Sequence, residues 1–217
     1  MKATLSIASK NYGSWSLRGW LLCKMAGIDF AAETVSSDDP STRAELLLLS
    51  PSFLVPCLTH EGIKVWDTLA IAEYLNEITP EAALLPSERA ARARCRSICG
   101  EMHSGFSNLR AALPMNLKAH YPRFRIWAGV QSDIDRVVSI WRECLAKYGG
   151  PYLFGEKPCA ADAMYAPVCT RFITYDVTLD SECAAYCRVI MALPAMIEWL
   201  EGAKTEPDEL EELDVEF

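Results

Sequence analysis

Apolar positions along the first 80 residues change period several times. The run ATLSIA (3–8) is short, apolar and partly β-branched, as expected of a strand. The following SWSLRGWLLCKMAG (14–27) places Leu17, Trp20, Leu21 and Met25 at helical spacing and ends at Gly27, a C-terminal stop. A second strand is predicted over 29–35, and a second helix over 40–51, opened by Pro40 and ended before Pro51. CLTH and IKVW flank Glu61-Gly62, a two-residue hairpin signal, and TLAIAEYLNEI (68–78) returns to the helical period. The predicted order is βαβα followed by ββα.

Beyond a turn-rich stretch at 79–88, no clear strand follows. The periodicity predicts one long helix over 89–113, broken near Pro114. Another is predicted over 132–149, with Ser132 as N-cap and Gly149 as stop, and two more over 160–175 and 181–201. The expected fold class is α/β plus all-α. A βαβαββα domain (1–80) is joined to an all-helical domain (89–205), with an acidic tail at 206–217.

Composition narrows the function classes. The net charge is −8, but the tail EPDELEELDVEF holds seven carboxylates and no base, leaving the other residues near −1. A near-neutral body offers no basic stripe for a phosphate backbone, so nucleic-acid binding is not expected. No uninterrupted run of about 20 apolar residues and no secretory leader pattern occurs, so a cytoplasmic protein without a membrane partner is expected. Nine cysteines, an odd number with no C-x-x-C pair, read as reduced thiols rather than disulfides or a zinc site. Cys95/Cys99 and Cys183/Cys187 are helical i, i+4 pairs and read as packing residues; no metal is expected.

Two stretches are more specific. LVPCLTHEGIKVWDTLAIAEYL contains a Val-Pro dipeptide opening the hairpin and an Asp-Thr pair opening the next helix; PYLFGEKPCAADAMYAPV contains a Leu-Phe-Gly turn, a proline and Asp162 four positions later. Together they resemble glutathione S-transferases, with their thioredoxin-like glutathione-binding domain and helical domain. NYGSWSLR with LPMNL resembles a bacterial group related to the zeta, maleylacetoacetate isomerase-like class. The chain departs from the family at Asp67-Thr68, where Glu or Gln followed by Ser is usual, and at Cys159, where Ser or Thr is usual.

The resemblance implies a cis Val55–Pro56 bond that presents the Val55 backbone to glutathione's cysteine, as a strand is added to a sheet edge. Asp67 and Thr68 precede a helix and are cap residues by position. The same free N–H groups and dipole attract an anion, so Thr68 is expected at the γ-glutamyl carboxylate and Asp67 at the α-ammonium. A free thiol near pKa 8.5 is a few per cent ionised at neutral pH. Lowering that pKa by two units takes about 2.7 kcal/mol. One hydroxyl donating to an anion supplies about 1.5–3 kcal/mol, and a helix N-terminus about 0.3–1. The donor is sought in the loop opening the first helix: Ser14 first, then Asn11 and Tyr12, with Ser16 last. That loop has no cysteine, and Cys23 lies over two turns into the helix, which disfavours a mixed-disulfide mechanism.

His103, Phe106 and Arg110, with Met115 and Asn116, stand where relatives line the electrophile pocket, and Arg110 suits an acidic co-substrate. Asp162 fits a capping box with position 159, a folding role. The leading expectation is a transferase that adds the glutathione thiolate to a largely apolar electrophile, acting in detoxification as a homodimer. A glutathione-dependent cis–trans isomerase of the maleylacetoacetate type is the nearest alternative, and a non-catalytic binding or regulatory protein on the same fold is the third.

Overall fold

The computed structural model describes residues 3–35 and 55–206. The helix expected over 40–51, and most of the acidic tail, lie outside the described residues.

Four strands form one sheet in the order β2-β1-β3-β4: β1 (Ala3–Ile7), β2 (Phe30–Thr34), β3 (Cys57–His60) and β4 (Ile63–Trp66). β1 runs parallel to β2 and antiparallel to β3, which turns directly into β4. That turn works because Glu61 and Gly62 both take positive φ, 50° and 82°, matching the twist of the hairpin. β1 alternates buried and half-buried residues, with Leu5 and Ile7 enclosed. Helix α1 (Ser14–Ala26) is stopped by Gly27 at φ 70°, and α2 (Thr68–Ile78) starts from Asp67.

After a 3-10 turn at Pro80–Ala82 the described chain is helical: α3 (Arg89–Ser104), α4 (Ser107–Ala112), α5 (Ala128–Tyr148), α6 (Ala160–Thr174), α7 (Ser181–Met191) and α8 (Pro194–Lys204). Three expected helices are corrected. The 89–113 helix breaks at Gly105-Phe106, well before Pro114, because Phe106 adopts φ 61° and a Cβ at Gly105 would meet the Glu101 carbonyl oxygen at 2.7 Å. The next helix begins at Ala128, four residues before Ser132, because buried Val130 extends the apolar stripe of Ile134 and Val137 upstream. Its Asp133 accepts a hydrogen bond from the Leu109 N–H at 2.9 Å, supplying a cap to α4 from another element. The last helix splits at Pro194, which cannot donate to an existing helix and instead opens a new one.

The core is continuous through both units. Helix α6 is buried along nearly its whole length, packing against α1 on one side and α3 and α7 on others. Trp141 of α5 is fully enclosed, its ring 4.8 Å from Tyr186 and 5.5 Å from Phe172. Asp162, also enclosed, accepts from the Cys159 and Leu153 N–H groups and the Tyr186 hydroxyl, and completes a capping box with Cys159. No single helix among the described residues is long and apolar enough to cross a membrane.

Candidate active site

Register assembles the site. Ser6 pairs with Cys57 and Cys57 with Trp66, so the chain leaving β1, entering β3 and leaving β4 meets at one end of the sheet. Loop 8–13, Val55-Pro56 and Asp67-Thr68 are brought together there. The Val55–Pro56 bond is cis. Gly19 of α1 lies so close to Pro56 that a Cβ would stand 2.7 Å from the proline's own Cβ, so α1 seats directly on this corner.

The loop's polar residues divide sharply. Asn11, 3% exposed, is engaged on both ends of its amide: Nδ2 donates to Asn116 Oδ1 at 3.1 Å, and Oδ1 accepts from Leu117 N–H at 2.7 Å and Lys118 N–H at 3.0 Å. It ties the loop to the chain after α4. Ser16 Oγ accepts from the Ala8 N–H at 2.9 Å. Tyr12 has an enclosed hydroxyl. Ser14 is the first residue of α1, with Gly13 rather than Ser14 at the N-cap. Its hydroxyl has no hydrogen-bond partner among the described residues and sits on the helix's positive end.

Glu206, where the acidic tail begins, folds back onto this loop instead of standing in solvent. Its carboxylate accepts from the Lys10 and Asn11 N–H groups at 2.6 and 3.1 Å and from Ser9 Oγ at 2.7 Å. Trp199 Nε1 adds a bond to the Lys10 carbonyl at 3.0 Å.

Asp67 takes the uncommon backbone φ of 74°, a strained conformation for a residue with a Cβ. Its Oδ1 accepts from the Leu69 and Ala70 N–H groups at 2.8 and 3.3 Å, capping α2, and its Oδ2 meets His103 Nε2 at 2.5 Å. His103 therefore stands on the Asp67 side, reaching across from the helical unit, with its ring edge-on to Trp15 at 5.0 Å. Thr68 is fully enclosed, and its hydroxyl has no partner among the described residues. Phe106 is buried in the core at the α3–α4 break. Arg110 donates to the Met102, His103 and Gly105 carbonyls, closing the end of α3, and its guanidinium lies 4.9 Å from the Trp15 ring centre. Met115 and Asn116 are buried beside Asn11.

The nearest thiols are not activated. Desolvation raises the Cys57 pKa and pushes Cys23 up to about 12, so both hold their protons at neutral pH. No group of three His, Cys, Asp or Glu among the described residues is arranged to hold a metal ion.

Sequence reasoning passed over Arg18, Arg171 and Trp15. Arg18 and Arg171 are 0% and 4% exposed, and the Arg18 guanidinium lies 4.4 Å from the Trp15 ring centre. Burial, with Arg110 close by, pushes Arg171 down to about 9 and Arg18 well below its ordinary value. The signal was present: each arginine interrupts an apolar helix stripe, at SLRGWLL and PVCTRFI.

Comparison with known proteins adds a family. Residues 12–78 match the family model described as glutathione S-transferase, N-terminal domain, and 88–202 match glutathione S-transferase, C-terminal domain. Maleylacetoacetate isomerase of Rattus norvegicus is 30% identical over 173 residues, covering 77% of this chain and 76% of that protein. The Pseudomonas aeruginosa protein of that name is 28% identical over 144 residues, covering 62% of this chain and 64% of its own. Among solved structures, a glutathione transferase homologue from Burkholderia GL BGR1 with bound glutathione superimposes at TM-score 0.71 with 22% identity, covering 95% of this chain and 100% of that one, a likeness of fold.

Proposed function

The chain belongs to the glutathione S-transferase family, and on that premise we propose that it binds glutathione at the sheet end, with Ser14 stabilising the thiolate for attack on an electrophile. The observation that carries this reading is the uncommitted Ser14 hydroxyl at the start of α1, at the same sheet end as cis Val55–Pro56 and Asp67-Thr68. Thr68 Oγ1 and the α2 N-terminus take the γ-glutamyl carboxylate, the Val55 backbone takes the cysteinyl segment, and Asp67 faces the α-ammonium. Asp67 does so while held by His103, so His103 becomes part of the glutathione side of the site. Asn11 serves as the clamp that keeps the loop on the helical unit.

In the reaction, the glutathione thiol gives its proton to solvent as Ser14 Oγ–H donates to the developing thiolate. The sulfur lone pair then forms a bond to the electrophilic carbon, and the displaced group leaves with its bonding pair. One charge-assisted hydrogen bond and a helix N-terminus together supply about 2–4 kcal/mol, enough to bring the thiol pKa below neutrality.

A second reading, isomerisation by reversible addition of the thiolate to a conjugated double bond, is supported by the isomerase names of several relatives. The exposed Ile63 and Trp66 on edge strand β4 support a homodimer with this face covered. Nine unpaired cysteines support a reducing, cytoplasmic setting.

The test is the ultraviolet thiolate absorbance of bound glutathione across pH 5–9, with affinity by calorimetry. The wild type is expected to bind glutathione and titrate its thiol well below 8, and Ser14→Ala to bind it with the pKa raised by about 1–2 units. An unchanged pKa in Ser14→Ala moves the donor to Tyr12. No binding at millimolar glutathione overturns the enzyme reading.

A further inference from the structure

Where α1 crosses α6, Arg18 Nε donates to the Met164 carbonyl at 2.9 Å, while its Nη1 and Nη2 are enclosed and have no partner among the described residues. Arg171 lies seven residues after Met164 on α6, hence on the same helix face, and its Nε and Nη1 are likewise enclosed and unpartnered. Arg110 approaches from α4, and Arg18 and Arg110 both lie against the Trp15 ring. The three guanidinium groups repel one another electrostatically. None joins any ion pair among the described residues.

Such an arrangement works against folding unless something compensates it. Arginine stays charged in proteins, and enclosed N–H groups without acceptors lose their hydration for no return. The unpartnered atoms have a defined chemistry. A guanidinium edge is a planar two-donor fork that matches two oxygens of one acid group, and like charges drawn together are relieved by one anion among them.

We propose that Arg18, Arg171 and Arg110 form an internal oxyanion site between α1 and α6 that holds a small phosphate- or carboxylate-type anion and locks the sheet unit onto the helical unit. Arg18 and Arg171 supply the inner forks. Arg110 and Trp15, only half-buried, form the outer wall and the way in. The site uses other side chains than the γ-glutamyl carboxylate position at Thr68, so it does not rest on glutathione binding.

The experiment is thermal unfolding of the full chain without glutathione, titrated with sodium phosphate or sodium acetate against sodium chloride at matched ionic strength. A saturable rise above chloride is expected, of roughly 5–10 °C at about 100 times the dissociation constant. Arg171→Lys keeps the charge but loses the fork, and is expected to lose most of the rise. A stronger phosphate response identifies an inorganic oxyanion and a stronger acetate response a carboxylate; either supports the site. A rise no greater than with chloride, or one undiminished in Arg171→Lys, overturns it. Should Arg171→Lys fail to fold, calorimetric titration of phosphate and of acetate into the wild type and into Arg110→Lys, at the outer wall, decides: one site per chain that weakens in Arg110→Lys supports the proposal, and no binding, or binding unchanged in Arg110→Lys, overturns it.

Discussion

Ser14 and Asn11 stand three positions apart in one loop, yet their surroundings assign them opposite tasks. Asn11 satisfies three hydrogen bonds in an almost closed setting, two of them to backbone N–H groups of Leu117 and Lys118. Asn11→Ala strands those donors and is expected to lower stability by about 2–4 kcal/mol in denaturant unfolding. Ser14→Ala removes a hydroxyl that holds nothing in the fold, and is expected to leave the unfolding midpoint within about 0.5 kcal/mol while raising the bound thiol's pKa. From sequence, only hydroxyl-against-amide chemistry and position in the loop separate the two residues. The partners that separate them lie over 100 residues away in the chain, as the Asn11–Asn116 bond shows.

Among the elements, α1 shows how a backbone approach positions a site. Gly19 lets the helix rest on Pro56, and Gly19→Ala drives a methyl into the proline ring. The expected result is a loss of about 1–3 kcal/mol in chemical denaturation, with weaker glutathione binding as Val55 shifts. Helix α7 gives a pH signature. Asp180 accepts from the Glu182 and Cys183 N–H groups and pairs with Arg142, which brings its carboxyl down to about 2. Because the folded value lies below the unfolded one, the stabilisation is complete above about pH 4 and is lost as pH falls through 2. Asp180→Ala is expected to cost about 1 kcal/mol at neutral pH, with the gap to wild type shrinking as unfolding is measured towards pH 2. Caps of this kind are readable when the acceptor sits next to its helix, as Asp67 does. They are unreadable when Asp133 caps α4 from α5.

At the scale of the whole molecule, the two units are joined by polar contacts as well as by apolar core: Asp67 to His103, Asn11 to Asn116, Arg18 to Met164 and Glu206 to the opening loop. The proposed dimer belongs to this scale too. Trp66→Glu places a charge on the exposed face of β4 and is expected to shift the species seen by analytical ultracentrifugation from dimer to monomer, leaving the monomer folded. The amino-acid sequence by itself determined the β1–α1 opening, the Glu61-Gly62 hairpin with the helix after it, the stops at Gly27 and Gly149 and the cap at Asp67. Each is settled by periodicity, backbone freedom or a hydrogen bond reaching only a few residues. Only the tertiary structure decided that Phe106 breaks a helix, that His103 joins Asp67, that Asn11 is a clamp, and that Arg18 and Arg171 are enclosed with Arg110 close by. Those outcomes depend on which distant groups arrive to satisfy a donor or leave it bare, and that choice is made when α1 packs on α6 and the chain after α4 closes over the loop.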